Sequence, residues 1–266
     1  MLSPHLAIRC ITISSAFFAY ATAAHAVFLY QDSFSGSSAT ALNTTAPVAN
    51  TGVILGANHG TSNANWNADV SWKADGSNAL TNDGSAFLPF TPQNGFIYDL
   101  SLQVDPTAGG SDWMAIAFTQ SANASQRIFD SGSTAWMLQR ADRTGTDPIQ
   151  TFTGPGTAGG QNYNPDPDLF GFVTLHVQLD TTQPNWRATW YVDEVGAIRT
   201  THTYGTNPTI NYIGFGKFNS AIGTVDNLSL TVTAIPEPSE IAAIGLAMLG
   251  GFLFWRRRAK RQTVAE

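Results

Sequence analysis

Apolar and polar residues alternate strictly through 98–105, where Tyr98, Leu100, Leu102 and Val104 share one side. The same period of two runs through 173–180, 186–192 and 228–232. Such alternation predicts a half-buried β-strand rather than a helix. Met114, Ile116 and Phe118 line a further strand, and Trp136 and Leu138 one more. Turn-forming residues separate these runs at 106–110, at 154–168, at Pro184 and Asn185, and at 193–196. Strands joined by turns, with no interleaved helical pattern, predict an all-β fold: an antiparallel two-sheet jelly-roll sandwich. A doubly wound α/β fold is excluded on the same pattern.

The two ends of the chain obey other rules. Residues 1–26 read as a secretory signal peptide: Arg9 precedes a mostly apolar run, and Ala24-His25-Ala26 has the small-x-small form of a cleavage site. Cleavage after Ala26 discards Cys10, the only cysteine, so the exported body has no disulfide. At the other end, 241–255 is an uncharged, apolar run expected to form a single transmembrane helix. Its fifteen residues would rise roughly 22 Å as a helix, a marginal match to a hydrocarbon core of about 30 Å. Five basic residues among 256–261 come next and hold that end in the cytoplasm. Pro236 and Pro238 keep the approach to the membrane extended.

Pro236-Glu237-Pro238, Ser239, the apolar run and the arginine cluster, in that order over 235–261, resemble the PEP-CTERM sorting signal of exopolysaccharide-producing bacteria. The resemblance implies recognition by an exosortase and cutting near the proline motif. The expected route passes signal peptidase and the inner membrane. The chain is then anchored for a time with its C-terminus cytoplasmic, and ends at the cell surface or in the extracellular matrix.

The remaining body, 27–234, contains sixteen acidic and seven basic residues. That balance argues against nucleic acid as a partner, because phosphates require clustered Lys and Arg. Within the body, the alternating strand ending at Asp180, then Trp190-Tyr191-Val192-Asp193, Ile213-Gly214-Phe215-Gly216 and Val225-Asp226-Asn227-Leu228-Ser229-Leu230 resemble the closing strands of a LamG-like, concanavalin A-type jelly roll. Asp32-Ser33-Phe34 resembles its opening. Members of that family often bind glycans, some hydrolyse them, and many adhere.

Candidate chemistry is sparse. Asp32 and Asp226 share number parity with core residues of the first and last strands (Phe28, Tyr30 and Phe34; Leu228, Leu230 and Val232). Two carboxylates about 4 Å apart repel by roughly 4 kcal/mol at an effective dielectric of about 20. A structural Ca²⁺ held by Asp32, Asp226 and Asn227 would offset this; so would backbone N–H donors at the strand ends, and the sequence leaves both open. For ligand contact the best local patch is Asn65, Trp66 and Asn67, with Tyr163 as a further ring. The alternative for Trp66 is core packing.

An active site is not legible. The body has one glutamate, Glu194, and lacks the glutamate pair that laminarinase-type glycosidases of this fold use. Asp166 and Asp168 sit in a Pro- and Gly-rich loop, and His176 reads as a solvated strand residue. The expectation is therefore a non-catalytic, surface-associated protein of an extracellular polysaccharide matrix, adhesive or glycan-binding. The alternatives are a jelly-roll hydrolase or lyase, or a ligand-free coat protein.

Overall fold

The computed structural model describes residues 26–234, apart from 55, 79, 81, 109, 111, 143–147, 164–168, 170 and 196–199, together with Gly251. Two antiparallel sheets face each other. One runs in the order β15 (Thr200–Thr203), β14 (Arg187–Val192), β13 (Val173–Asp180), β8 (Phe96–Ala108), β17 (Ile222–Ala234), β1 (Val27–Asp32), β2 (Ala49–Asn50), and β6 (Ser77–Asn78) also pairs with β17. The other runs β12 (Gln161–Tyr163), β11 (Ile149–Phe152), β10 (Ser133–Arg140), β9 (Trp113–Thr119), β16 (Tyr212–Lys217), β7 (Gly84–Pro89), β5 (Asn67–Ala68). A separate ribbon pairs β3 (Val53–Ile54) with β4 (Ala57–Asn58). First and last strands lie side by side, as a jelly roll requires.

The alternating runs behave as the pattern predicts. β13 buries Val173, Leu175, Val177 and Leu179 between the sheets, and β14 buries Ala188, Trp190 and Val192 there. Met114, Ile116 and Phe118 of β9 meet them from the opposite sheet. Trp136 and Leu138 do not. The β10 residues facing the inter-sheet core are Ala135 and Met137, while Trp136 and Leu138 belong to a second apolar cluster on the outer side of the seven-stranded sheet. Trp113, Ala115, Ala117, Phe87, Phe152 and Ile128 complete that cluster.

A segment folded back from the end of β9 covers it. A short 3-10 turn, Ile128–Ser131, drives Ile128 against β16, where a Cβ on Gly216 would come within 3.1 Å of the Ile128 Cβ. The segment is tied down by Ser85, whose N–H donates to Ala124 O at 2.8 Å and whose Oγ donates to Gln126 O at 2.8 Å. Trp136 stacks on Phe152 with ring centres 3.9 Å apart, and its Nε1 donates to Gly154 O at 3.1 Å.

Two predicted turns hold strand instead. β8 continues through Pro106, which is tolerated because the pairing with β17 shifts register opposite it. Within 154–168, Gln161–Tyr163 adds an edge strand to β11. Among the described residues no helix is long and apolar enough to cross a membrane. The expected span lies outside the described residues except for Gly251, which is helical. Ala24 of the expected cleavage site and Pro236, Glu237, Pro238 and Ser239 of the sorting motif also lie outside them.

Candidate functional site

Register irregularities decide where the predicted cation ligands go. In β1 the pairing slips between Phe28 and Tyr30, so Leu29 and Tyr30 are both buried and Phe28 is exposed. In β17 the pairing with β8 slips between Asp226 and Ser229, and Asn227 takes a left-handed φ of 48°. Val225 and Leu228 both face inward across that bulge, so the parity that put Asp226 with Leu228 fails. Asp32 is buried; Asp226 is half-buried and Asn227 exposed.

Each of the three residues has a partner within the chain. Asp32 Oδ1 accepts from the Phe34 N–H at 2.9 Å, and Oδ2 accepts from Trp66 Nε1–H at 2.8 Å. Asp226 Oδ1 accepts from the Asn227 N–H at 2.7 Å, and Asn227 Nδ2 donates to Gln103 Oε1 at 2.9 Å. Burial raises the Asp32 pKa above the ordinary carboxylate range; the Trp66 and Phe34 donors pull it back, and the Asp226 charge raises it further. Repulsion from Asp226, the reason for expecting a cation, is present but is the smallest of these influences. The ligand set does not by itself define one: among the described residues no group of three or more His, Cys, Asp or Glu is placed to hold a metal.

Trp66 is a core residue. It is 1% exposed and packs with Phe34 and Phe215, which excludes it from stacking on a ligand arriving from solvent. Asn65 and Asn67 flank it on the exposed side. Tyr163 ends β12, far along the same sheet order from β5, so it does not join the Asn65–Asn67 patch. Asp166 and Asp168 lie outside the described residues.

The remaining acids on the eight-stranded sheet are engaged. Both Glu194 oxygens accept from the Thr174 N–H, at 3.0 and 2.9 Å, and Oε1 also accepts from Thr174 Oγ1 at 2.9 Å. His176 is not simply solvated. Its Nδ1 lies 2.9 Å from Asp99 Oδ1, and its Nε2 lies 3.2 Å from Asp193 Oδ2, out of line for a hydrogen bond but close enough for an ion pair. Tyr191 stacks on the imidazole at 4.3 Å and donates its hydroxyl to Asp99. Burial alone would lower the His176 pKa; the bond to Asp99 and the charges of Asp99 and Asp193 together raise it. With carboxylates facing both ring nitrogens, the site favours the protonated imidazolium over the neutral form that general base work requires. The sequence held a signal for the cluster: His176 falls opposite Tyr191 once β13 and β14 are paired as a hairpin.

A recess opens at the far end of the same polar face. It is a cleft of about 530 Å³ lined by Asp180, Thr182, Gln183, Pro184, Asn185, Arg187 and Thr203, within the size range of small-ligand sites. Alternation along β13, β14 and β15 places Asp180, Arg187 and Thr203 in one cross-strand row. The hairpin loop is held from behind. Asn207 Oδ1 accepts from the Trp186 N–H at 2.8 Å, Asn207 Nδ2 donates to Pro184 O at 2.8 Å, and Trp186 Nε1 donates to Asn94 Oδ1 at 3.2 Å. Gln183 and Asn185 project from this fixed loop, and among the described residues nothing hydrogen-bonds their side chains. Exposed, unpartnered amides on a fixed backbone suit recognition of hydroxyl-rich ligands.

No protein-family model matches the chain, and no curated protein does. Solved structures do. An endo-1,3-beta-glucanase from Streptomyces sioyaensis superposes with a TM-score of 0.51 at 13% identity, over 82% of this chain and all of the glucanase chain. The metal-free exoplasmic/lumenal domain of VIP36 gives 0.45 at 10% identity, over 80% and 95% of the two chains. Lectin II from Ulex europaeus gives 0.40 at 12% identity, over 67% and 95%. At such identity the glucanase likeness establishes the jelly-roll fold of the body and nothing about its chemistry.

Proposed function

We propose that the body is a non-catalytic glycan-binding module, exported and retained at the cell surface or in an extracellular polysaccharide matrix. The cleft at the β13–β14 hairpin carries this reading: a rigid loop offers unpartnered amides beside an exposed guanidinium and a hydroxyl. The engagement of Glu194 by Thr174, and of Asp99 and Asp193 by His176, favours binding over hydrolysis. Glycoside cleavage needs one carboxyl to protonate and a second left free to attack or activate water. A glycan array run beside a reducing-sugar release assay tests this. Binding without turnover is the expected result; turnover would replace the module with an enzyme.

Export is proposed from the two ends of the chain, the signal peptide at 1–26 and the sorting tail at 235–261. Exosortase recognition at Pro236-Glu237-Pro238 predicts that alanines at these three positions leave uncleaved protein in the membrane, detected by immunoblotting membrane and medium fractions. Unchanged release would remove the sorting proposal. A structural Ca²⁺ is supported by the buried charge of Asp32 beside Asp226. Asp32, Asp226 and Asn227, with backbone carbonyls, would hold it, and the ion would supply positive charge that two N–H donors supply only in part. Chelator should then lower the melting temperature of the chain; an unchanged melt leaves the N–H donors as the whole compensation.

A further inference from the structure

We infer that the cleft at the β13–β14 hairpin recognises a carboxylated saccharide, with Arg187 as the fork for the sugar carboxylate; this rests on the glycan-binding reading above. Asp180 is already engaged at both oxygens. Its Oδ1 accepts from the Thr182 N–H at 3.0 Å and from Thr182 Oγ1 at 2.6 Å, and its Oδ2 accepts from Arg187 Nη2 at 3.2 Å. The side chain of Asp180 is only 12% exposed, whereas that of Arg187 is 52% exposed. The carboxylate therefore acts as a positioning partner: it tethers one edge of the guanidinium and, being largely buried, presents little of its own to a ligand.

Arginine carries five N–H donors, and the contact to Asp180 uses one. The free donors lie in a fixed plane and match a carboxylate in two-point geometry. Around them Gln183, Asn185 and Thr203 offer neutral donors and acceptors of the kind hydroxyls require. The cleft is thus richer in donors than acceptors, which selects an acceptor-rich ligand. The wider surface works against a polyanion: the body carries more than twice as many acids as bases, so such a ligand is repelled over most of it and needs an exposed, oriented cation such as Arg187 as its point of contact.

The site sits at one end of an open polar face rather than in an enclosed pocket. From Arg187 to Tyr191 along β14 the face extends about 13 Å at strand rise. An extended oligomer fits this better than a single sugar.

Affinity electrophoresis of the full chain tests the inference, using gels loaded with polygalacturonate, dextran or dextran sulfate. Retardation by polygalacturonate alone is expected, weakened at least tenfold in Arg187→Gln and less in Arg187→Lys, which keeps charge but loses the planar fork. Asn185→Ala, on the exposed loop and away from the ion pair, should weaken it severalfold; this keeps the test usable if Arg187→Gln fails to fold. Equal retardation by dextran and polygalacturonate would overturn the carboxylate claim and leave glycan binding intact. Equal retardation by dextran sulfate would reduce it to bulk charge and overturn it. No retardation in any gel would overturn the glycan reading as well.

Discussion

On β9 and β10 the side chains pointing away from the inter-sheet core include Trp113, Ala115, Ala117, Trp136 and Leu138, and all of these are buried. On β13 and β14 the corresponding positions are mostly open: Thr174, His176, Gln178, Arg187 and Tyr191 are half-buried or exposed, and only the polar Asp180 and Thr189 are buried. The backbone architecture is the same on both sides. The difference lies in the segments that leave the strands. The seven-stranded sheet is covered by the segment that carries Ile128 and Phe129, seated against a glycine strand with Gly214 and Gly216 in place of side chains. The eight-stranded sheet keeps polar rows and ends in a fixed hairpin loop. One face adds a second core and closes itself to ligands; the other gives up that apolar burial and keeps groups a ligand can reach.

Trp136→Ala tests the contrast most strongly. Removing a fully buried ring from the closed face should cost about 4 kcal/mol, whereas Gln178→Ala on the open face should stay within about 0.5 kcal/mol. Urea unfolding of the two variants measures both. Equal losses would mean that the outer cluster packs too loosely to count as a core.

The same contrast explains what alternation could reveal. The strictly alternating runs at 98–105, 173–180, 186–192 and 228–232 all belong to the eight-stranded sheet, where one side is wet. β9 is buried at all seven positions, and β10 at all but Arg140. A strand buried on both faces loses its period, so Trp136 and Leu138 were legible as strand residues but not as outer ones. Bulges were equally hidden. Nothing in the composition of 27–32 or 226–229 marks an extra residue, yet each bulge overturns a parity argument, exposing Phe28 and turning Asp226 from the core. The two-residue strands β2 to β6 had no pattern to show; backbone pairing alone makes them. The cleft was illegible for a different reason: Pro184 and Asn185 announced a turn, but the brace from Asn207 joins residues 21 and 23 positions apart in sequence.

A substitution of intermediate effect asks how tightly the covering segment is seated. A Cβ on Gly216 would lie 2.5 Å from Ser85 Oγ and 3.1 Å from Ile128 Cβ. Gly216→Ala should therefore lift the segment and break the Ser85 tie to Gln126, at a cost of about 2 kcal/mol. Hydrogen exchange should then accelerate first at Ser85, whose N–H is held by Ala124. Exchange that speeds uniformly over the sheet would instead mean that the segment and the strands open as one unit.

The smallest effect belongs to the open face and depends on pH. His176 carries a raised pKa because Asp99 and Asp193 face its two nitrogens and outweigh its burial, while Tyr191 covers the ring. A folded pKa above the unfolded value, about 6.5, means that the folded state binds the proton more tightly. The resulting stabilisation is fully present below that value and is lost as pH rises through the folded pKa. His59 works in the opposite sense, since burial lowers its pKa and folding disfavours its charged form. A raw stability profile would mix the two. The difference between the parent chain and His176→Gln isolates one, because glutamine cannot take the charge and His59 is common to both. That difference should be largest near pH 5.5 and shrink through neutrality, with a size of about 1 kcal/mol or less for a partly exposed ion pair. A difference independent of pH would show that stacking on Tyr191 and the neutral bond to Asp99 account for the cluster, and that the open face carries no charged clamp.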